Sequence, residues 1–372
     1  MPSDTLYLQN INNKDVNRTR LIPSNNKTSS KNPLSNQIKV SIIITAYNRK
    51  SYLMNALRSL VSSKITNLEL EIIVIKNFID KKIDEYLSKI KAKSILGKEA
   101  PLCNYVYQGI INSTGKYLFF LEDDDLFFPS KIDYVISLME SRQIDYYHNS
   151  YIALDENESK INSMAYRTNR MPIVLEKQKR DVARIGRLMK IKGDINLSSI
   201  CISRNLFLHS KEIIFLKDLP AGPDWFIFYL ALQNGFILYF DNKILTKYLI
   251  HDSTANTKSD KIEQFVKGRI FLIQKEVKSL LVMLAAFSSP EIKEIIRRRI
   301  VTDLLQAEII GYNPKIMFPE FNKNIGPIGV RRDLFGIIIN LIFLLHKVLP
   351  DFALWIYANA LQKVVFGKSS LR

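Results

Sequence analysis

Cysteine is nearly absent from the 372-residue sequence: only Cys103 and Cys201 occur. Two thiols are too few for a disulfide scaffold or a Cys-rich zinc module. A glycine-rich phosphate loop is also missing. Neither GxGxxG nor GxxxxGK(S/T) follows the first apolar run, which disfavours a dinucleotide-binding fold or a P-loop NTPase. The first residues are polar and carry no basic-then-apolar signal peptide, so a cytoplasmic location is expected. Acidic residues are in deficit, 36 Asp+Glu against 53 Lys+Arg, giving a net charge of +17. Such an excess suits a polyanionic partner: nucleic acid, an anionic membrane surface or phosphorylated substrates. What is present is ordinary for a globular chain, 47% apolar and 24% charged, enough for one large domain or two medium ones.

Residues 1–37 are rich in Asn, Ser, Lys and Thr without sustained periodicity, and read as a disordered basic tail. From Ile38 the pattern alternates. Val40–Thr45 is a β-branched run expected to be a strand covered on both faces, and Leu53, Ala56, Leu57 and Leu60 follow at helical spacing. Leu70–Ile75 reads as a second strand and Lys81–Lys91 as a helix. Tyr105–Asn112 reads as another helix, with Gly115 as its stop. Tyr117–Leu121 is the next expected strand, and Ser130, after Pro129, the expected cap of a further helix. Strands and helices in alternation with short links imply an α/β domain with parallel strands and right-handed crossovers. Ligands of such sheets bind beyond the carboxyl ends of the strands.

Two features stand at those ends. Thr45-Ala46-Tyr47-Asn48-Arg49 follows the first strand, and Glu122-Asp123-Asp124-Asp125 follows Tyr117–Leu121. Four adjacent carboxylates repel one another unless a cation neutralises them, and an oxygen-rich cluster suits Mg²⁺ or Mn²⁺. The alternative is a solvated acidic turn. The apolar flanks Phe119-Phe120-Leu121 and Leu126-Phe127-Phe128 favour the first reading, because they pin the turn between buried anchors.

With these motifs in that order, Val40–Pro129 resembles the donor-binding half of family 2 glycosyltransferases, which have the GT-A fold. The family's Thr/Ala-Tyr-Asn-Arg turn is matched by Thr45–Arg49. Its Leu-Asp-x-Asp-Asp-x-x-x-Pro motif is matched by Leu121–Pro129, with Glu122 in place of the first Asp. Further on, Gly222-Pro223-Asp224-Trp225 opens an apolar helix, as the family's Glu-Asp-Trp-like motif does, and Tyr248-Leu249-Ile250-His251 is similar to its Tyr-Arg-x-His. The resemblance spans roughly residues 38–258. It implies an inverting, metal-dependent transfer of sugar from a nucleotide-sugar to a hydroxyl of a glycan, polysaccharide or lipid-linked acceptor. It implies Asp224 as the catalytic base, and Thr45, Tyr47, Arg49, Asn77 and Asp123 as donor contacts. Asp124, Glu122 and His251 would hold Mn²⁺ or Mg²⁺. Lys76-Asn77-Phe78-Ile79-Asp80 stands where the family has Asp-Asp-x-Ser, and the family's Arg-Asn before the third strand is missing, so the chain reads as a divergent branch.

Residues 259–372 form a region of expected helices. Ile262–Phe287, Glu291–Ile310, Leu334–Leu345 and Val348–Phe366 are its apolar or amphipathic segments. Leu334–Leu345 is shorter than the ~20 residues of a spanning helix. Two readings stay open: a helical hairpin packed on the catalytic domain or on a dimer partner, and in-plane or re-entrant insertion into a membrane. In the second, Arg331, Arg332, Lys347, Lys363, Lys368 and Arg372 meet anionic headgroups on the inner face of the cell membrane. Two other functions compete with sugar transfer: nucleic-acid binding, suggested by the charge, and nucleotidyl transfer. The first lacks an aromatic-basic recognition motif, the second a Gly-rich basic loop after the first strand.

Overall fold

The computed structural model describes residues 37–61, 68–157, 159–161, 171–251, 261–313 and 334–366. The expected basic tail, apart from Gln37, lies outside the described residues, as do Arg331, Arg332, Lys368 and Arg372. Residues from Gln37 onward form one compact unit.

Strand β1 (Ile38–Ala46) is buried on both faces, as its β-branched run requires. It pairs in parallel with β2 (Leu68–Lys76) on one side and β4 (Tyr117–Glu122) on the other, and β3 (Lys93–Leu96) extends the parallel edge beyond β2. Side chains alternate between the faces: Ile42, Ile44 and Phe119 join one core, Ile43 and Phe120 the other. Helix α1 (Lys50–Val61) covers the first face with Leu53, Ala56, Leu57 and Leu60, and α2 (Lys81–Lys89) adds Ile83 and Leu87. Helix α3 (Leu102–Ile111) covers the opposite face so closely that a Cβ on Gly109 would stand 2.2 Å from Ile43 Cγ2.

The parallel order does not continue. Strand β8 (Ile200–Ser203) runs antiparallel between β4 and β6 (Tyr146–Leu154), and the sheet ends with β9 (Ile237–Leu249), flanked by β5 (Leu126–Phe127) and β7 (Ile173–Glu176). The parallel strands expected from the alternating first half are thus found there, and in the second half β6 and β9 pair in parallel while β8 runs against its neighbours. Two local expectations also change. Helix α3 ends at Asn112, and Gly115 serves packing instead: a Cβ there would stand 2.5 Å from Ser41 N. Ser130 precedes α4 (Lys131–Arg142) without a side-chain capping bond.

Helix α5 (Val182–Lys190), the single turns α6 (Asn205–Leu208) and α7 (Ile213–Leu216), and α8 (Pro223–Asn234), apolar from Trp225 to Leu232, complete the second half. Helices α9 (Ile262–Ala286) and α10 (Pro290–Ile309) extend the core on the α3 and α8 face through Phe265, Ile273, Ile296 and Leu304. A last pair, α11 (Leu334–His346) and α12 (Pro350–Phe366), packs on α10 with Ile339, Ile342 and Tyr357. Its other side leaves Leu341, Leu344, Val348, Phe352 and Trp355 about half exposed or more. Among the described residues no helix is long and apolar enough to cross a membrane.

Candidate active site

The carboxyl ends of β1, β2 and β4 meet, and the turns after them are stitched together. Asn48 adopts a left-handed conformation (φ 57°), which Asn tolerates better than most residues. Its N–H donates to Asn77 Oδ1 at 2.9 Å, and Asn77 Nδ2 donates back to Asn48 Oδ1 at 2.9 Å. The Asp123 N–H donates to the Thr45 carbonyl at 3.1 Å, and the Tyr47 N–H donates to Asp123 Oδ2 at 3.3 Å. Two groups here have unused capacity. The buried Thr45 Oγ1 has no partner among the described residues, and the Tyr47 ring is 38% exposed.

The acidic turn splits by role. Asp125 points inward, where its carboxylate accepts from the Leu249 N–H at 3.2 Å and tethers the turn to β9. Burial, then Asp124, pushes its carboxyl well above the usual range. Asp123 and Asp124 face Arg49. The guanidinium bonds Asp124 Oδ2 and lies 2.9 Å from Asp123 Oδ1. Burial opposes charge on Arg49, yet Asp124, Asp123 and Glu122 more than offset it, and the guanidinium stays charged. Burial raises the Asp123 carboxyl to about 7 against the pull of Arg49. His251 Nε2 lies 2.9 Å from Asp124 Oδ2 and 3.3 Å from Arg49 Nη1, and its ring stacks on Tyr52 at 4.7 Å. A cavity of about 260 Å³ opens beside Asp124, lined also by Tyr52, Asn55, Glu156, Lys247 and Leu249.

On the other side of β4 the site continues to Asp224, in the first turn of α8. Gly222, at φ 76°, turns the chain into the helix, and a Cβ there would meet Trp225 Cε3 at 2.5 Å. The Asp224 carboxylate accepts from the Trp225 N–H at 2.9 Å and from the Asn196 N–H at 3.2 Å. Burial, and next the neighbouring Asp194, raises it to about 7. Glu122 joins the two halves: its N–H donates to Ser198 Oγ at 3.0 Å, and its carboxyl feels Asp124, Asp125 and Asp224. Burial comes first among the causes that push Glu122 well above the usual carboxylate range.

All nine expected residues thus fall in one region: Thr45, Tyr47, Arg49, Asn77, Asp123, Asp124 and His251 on one side, Asp224 on the other, Glu122 between. Three neighbours escape sequence reasoning. Asp194 and Asn196 lie in a polar break before β8, and Asn196 takes a strained φ of 72° with its buried side-chain amide unpartnered among the described residues. Arg299 reads in sequence as one charge in the run Arg297-Arg298-Arg299.

Asp124 Oδ2 and His251 Nε2 lie 2.9 Å apart with the Arg49 guanidinium against both, so the carboxylate oxygen, a donor that suits Mn²⁺ or Mg²⁺, is engaged here by a protein cation. Among the described residues no group of three or more His, Cys, Asp and Glu stands in metal-binding geometry.

Residues 41–192 match the model of the family described as Glycosyl transferase family 2. That stretch is similar to the family 2 glycosyltransferases. An uncharacterized glycosyltransferase of Rickettsia bellii is 31% identical over 146 residues, covering 37% of this chain and 21% of that protein. One of Rickettsia typhi is 26% identical over 250 residues, covering 66% and 74%. One of Haemophilus influenzae is 26% identical over 231 residues, covering 59% and 67%. The chain spans only 21%, 27% and 22% of three of the Rickettsia relatives. In fold it is similar to residues 1–349 of S. aureus TarS, solved in complex with UDP-GlcNAc. The TM-score is 0.54 at 12% identity, over 89% of this chain and 93% of that one. The architecture is accordingly GT-A-like, with a helical C-terminal region.

Proposed function

We propose that the protein is an inverting glycosyltransferase that moves a sugar from a nucleotide-sugar to an acceptor hydroxyl. The observation that carries this is the convergence of the Thr45–Arg49 turn, the acidic turn and Asp224 at one end of the sheet. Thr45, Tyr47, Asn77 and Asp123 would bind the nucleoside, with Arg49 facing the diphosphate. Asp124 and His251, with Glu122 as the third expected ligand, would hold a divalent cation. Such an ion, when bound, neutralises charge on the departing diphosphate. Asp224, half ionised near neutral pH, would take the acceptor hydroxyl's proton as that oxygen attacks the anomeric carbon. Residues 38–258 would carry this chemistry. The UDP-GlcNAc complex of a structural neighbour makes a UDP-sugar the first donor to try.

The test is thermal stabilisation by a panel of nucleotide-sugars, with and without Mn²⁺, followed by transfer assays with the best donor. A ligand that binds only the folded state raises the melting temperature by mass action. One donor should stand out, more so with Mn²⁺; a flat response across the panel, with no UDP released from any member, overturns the reading.

We further propose that the open side of α11 and α12 rests on an anionic membrane surface, bringing the enzyme to a lipid-linked acceptor. The exposed Leu341, Leu344, Val348, Phe352 and Trp355, with the exposed Lys363 and with Lys347, which is ion-paired to Glu308, support this. Phe352 and Trp355 stack at 6.2 Å on that side. The protein should sediment with vesicles containing phosphatidylglycerol at low salt, and Trp355→Ala should reduce it. A homodimer that buries Trp355, with no sedimentation, overturns the proposal.

A further inference from the structure

The base-bearing turn is held from outside the family segment. Arg299, on α10, lies with its guanidinium 3.5 Å from the centroid of the Trp225 ring. The same group donates from Nη1 to Asp194 Oδ2 at 2.9 Å. Both side chains of that pair are almost fully buried, at 7% and 2% exposure. Trp225 and the Asp194–Asn196 segment are also the two pieces of chain whose backbone N–H groups bond Asp224. One planar cation therefore grips both supports of one carboxylate. Helix α9 braces the same turn, since Ser279 Oγ accepts from the Ala221 N–H at 2.9 Å.

We propose that Arg299 is a positioning residue for Asp224, clamping the two backbone supports of the base, so that α10 is part of the active site. This rests on Asp224 being the base. Guanidinium suits the task because its plane can stack on an indole while its edge donates to a carboxylate. A lysine could supply the charge only.

Charged and titratable groups face Asp224 from several elements. They are Asp194 in the loop before β8, Arg299 on α10, Glu122 at the end of β4, Cys103 on α3 and Tyr146 on β6. Burial raises the Cys103 thiol and the Tyr146 phenol well above their ordinary values, so both are neutral near pH 7. Asp194 and Arg299 then pull Asp224 in opposite directions, the first upward and the second downward.

The experiment is a carbon-13 NMR titration of aspartate-labelled full-length protein, with the Asp224 signal assigned through Asp224→Asn. Arg299→Met should move the Asp224 midpoint up by roughly one pH unit and Asp194→Asn should move it down, because a nearby cation favours the carboxylate and a nearby anion disfavours it. Arg299→Lys should fall between wild type and Arg299→Met. In parallel, UDP release from UDP-GlcNAc should drop about fivefold at pH 7 in Arg299→Met, with KM within about twofold. If Arg299→Met does not fold, Arg299→Lys and Asp194→Asn carry the test. Midpoints that stay put, or move the same way in Arg299 and Asp194 variants, overturn the clamp and leave the base reading intact. Asp224→Asn releasing UDP at the wild-type rate removes the base reading itself.

Discussion

The two halves of the site bury carboxylates by different means. On the β1 side, Asp123 and Asp124 meet Arg49, which stands two residues past the Tyr47 N–H that bonds Asp123. Charge, guanidinium countercharge and backbone support come from two short turns within the matched segment, with His251 added from just past the end of β9. On the α8 side, Asp224 has no cation of its own turn. Its supports are a neighbouring N–H, a loop N–H from Asn196, and Arg299 acting through Trp225 and Asp194. A site built from local turns is portable between sequences. One assembled by a helix from the C-terminal region must be completed by tertiary packing.

The sharpest break of this comparison is Asp224→Asn. An amide cannot accept the proton, so turnover should fall by about 10²–10⁴ while donor affinity stays near wild type. Titration calorimetry alongside a transfer assay separates the two, and an equal loss of binding and turnover would move Asp224 to the donor side. Asp124→Ala should show the reverse pattern. Donor affinity with Mn²⁺ should fall by roughly one to two orders of magnitude, and the Mn²⁺ dependence of the thermal shift should vanish.

Between the halves stands Lys131, fully buried, donating to the Ser198 carbonyl and to Thr246 Oγ1 at 2.9 Å. Burial lowers its pKa well below the ordinary value. Lys131→Met keeps the length of the side chain and removes its donors, leaving Ser198 and Thr246 under-satisfied beside Asp125. A loss of about 1–3 kcal/mol in urea unfolding is expected, felt by both halves because Ser198 also binds the Glu122 N–H. The pH response is smaller and, because Asp123 is also raised to about 7, it is assigned to the α8 half by its shift in Arg299→Met. With Asp224 raised to about 7, its active, ionised form gains population as pH rises. The rate should therefore climb through an acidic limb near pH 7, about tenfold per unit well below it. A limb at the ordinary carboxylate value near 4 would assign the base elsewhere.

The β1 half was legible because its information is local. A β-branched run marks β1, an acidic run fixes where β4 ends, and each motif sits at a strand end where the fold must open to ligand. The long apolar helices of the C-terminal region were legible for the same reason. Strands β3, β5 and β7 were not: at four, two and four residues they are too short to show a period. The reversal at β8 was invisible because strand direction is set by partners far along the chain, Tyr117↔Ser203 and Tyr146↔Ile202. Asp224 could be named from its motif. Arg299 could not, since a single arginine in a basic helical run has no local mark of the Trp225 ring and Asp194 carboxylate that it meets in space.

The smallest expected effect tests how local the β1 half is. Asn77 stands where the family resemblance expects an aspartate, and its amide is engaged reciprocally with Asn48 in an exposed pair. Asn77→Asp keeps an oxygen to accept from the Asn48 N–H, loses the donation to Asn48 Oδ1, and places a second acceptor there that the exposed Asn48 amide can meet by turning its Nδ2 inward. The cost should stay below about 1 kcal/mol in stability. If Asn77 mainly holds the left-handed Asn48 turn, donor affinity should change by no more than about fivefold, equally for uridine and guanosine diphosphate sugars. A change confined to one base, measured by competition between the two nucleotides, would give Asn77 a direct reading of the nucleobase edge instead.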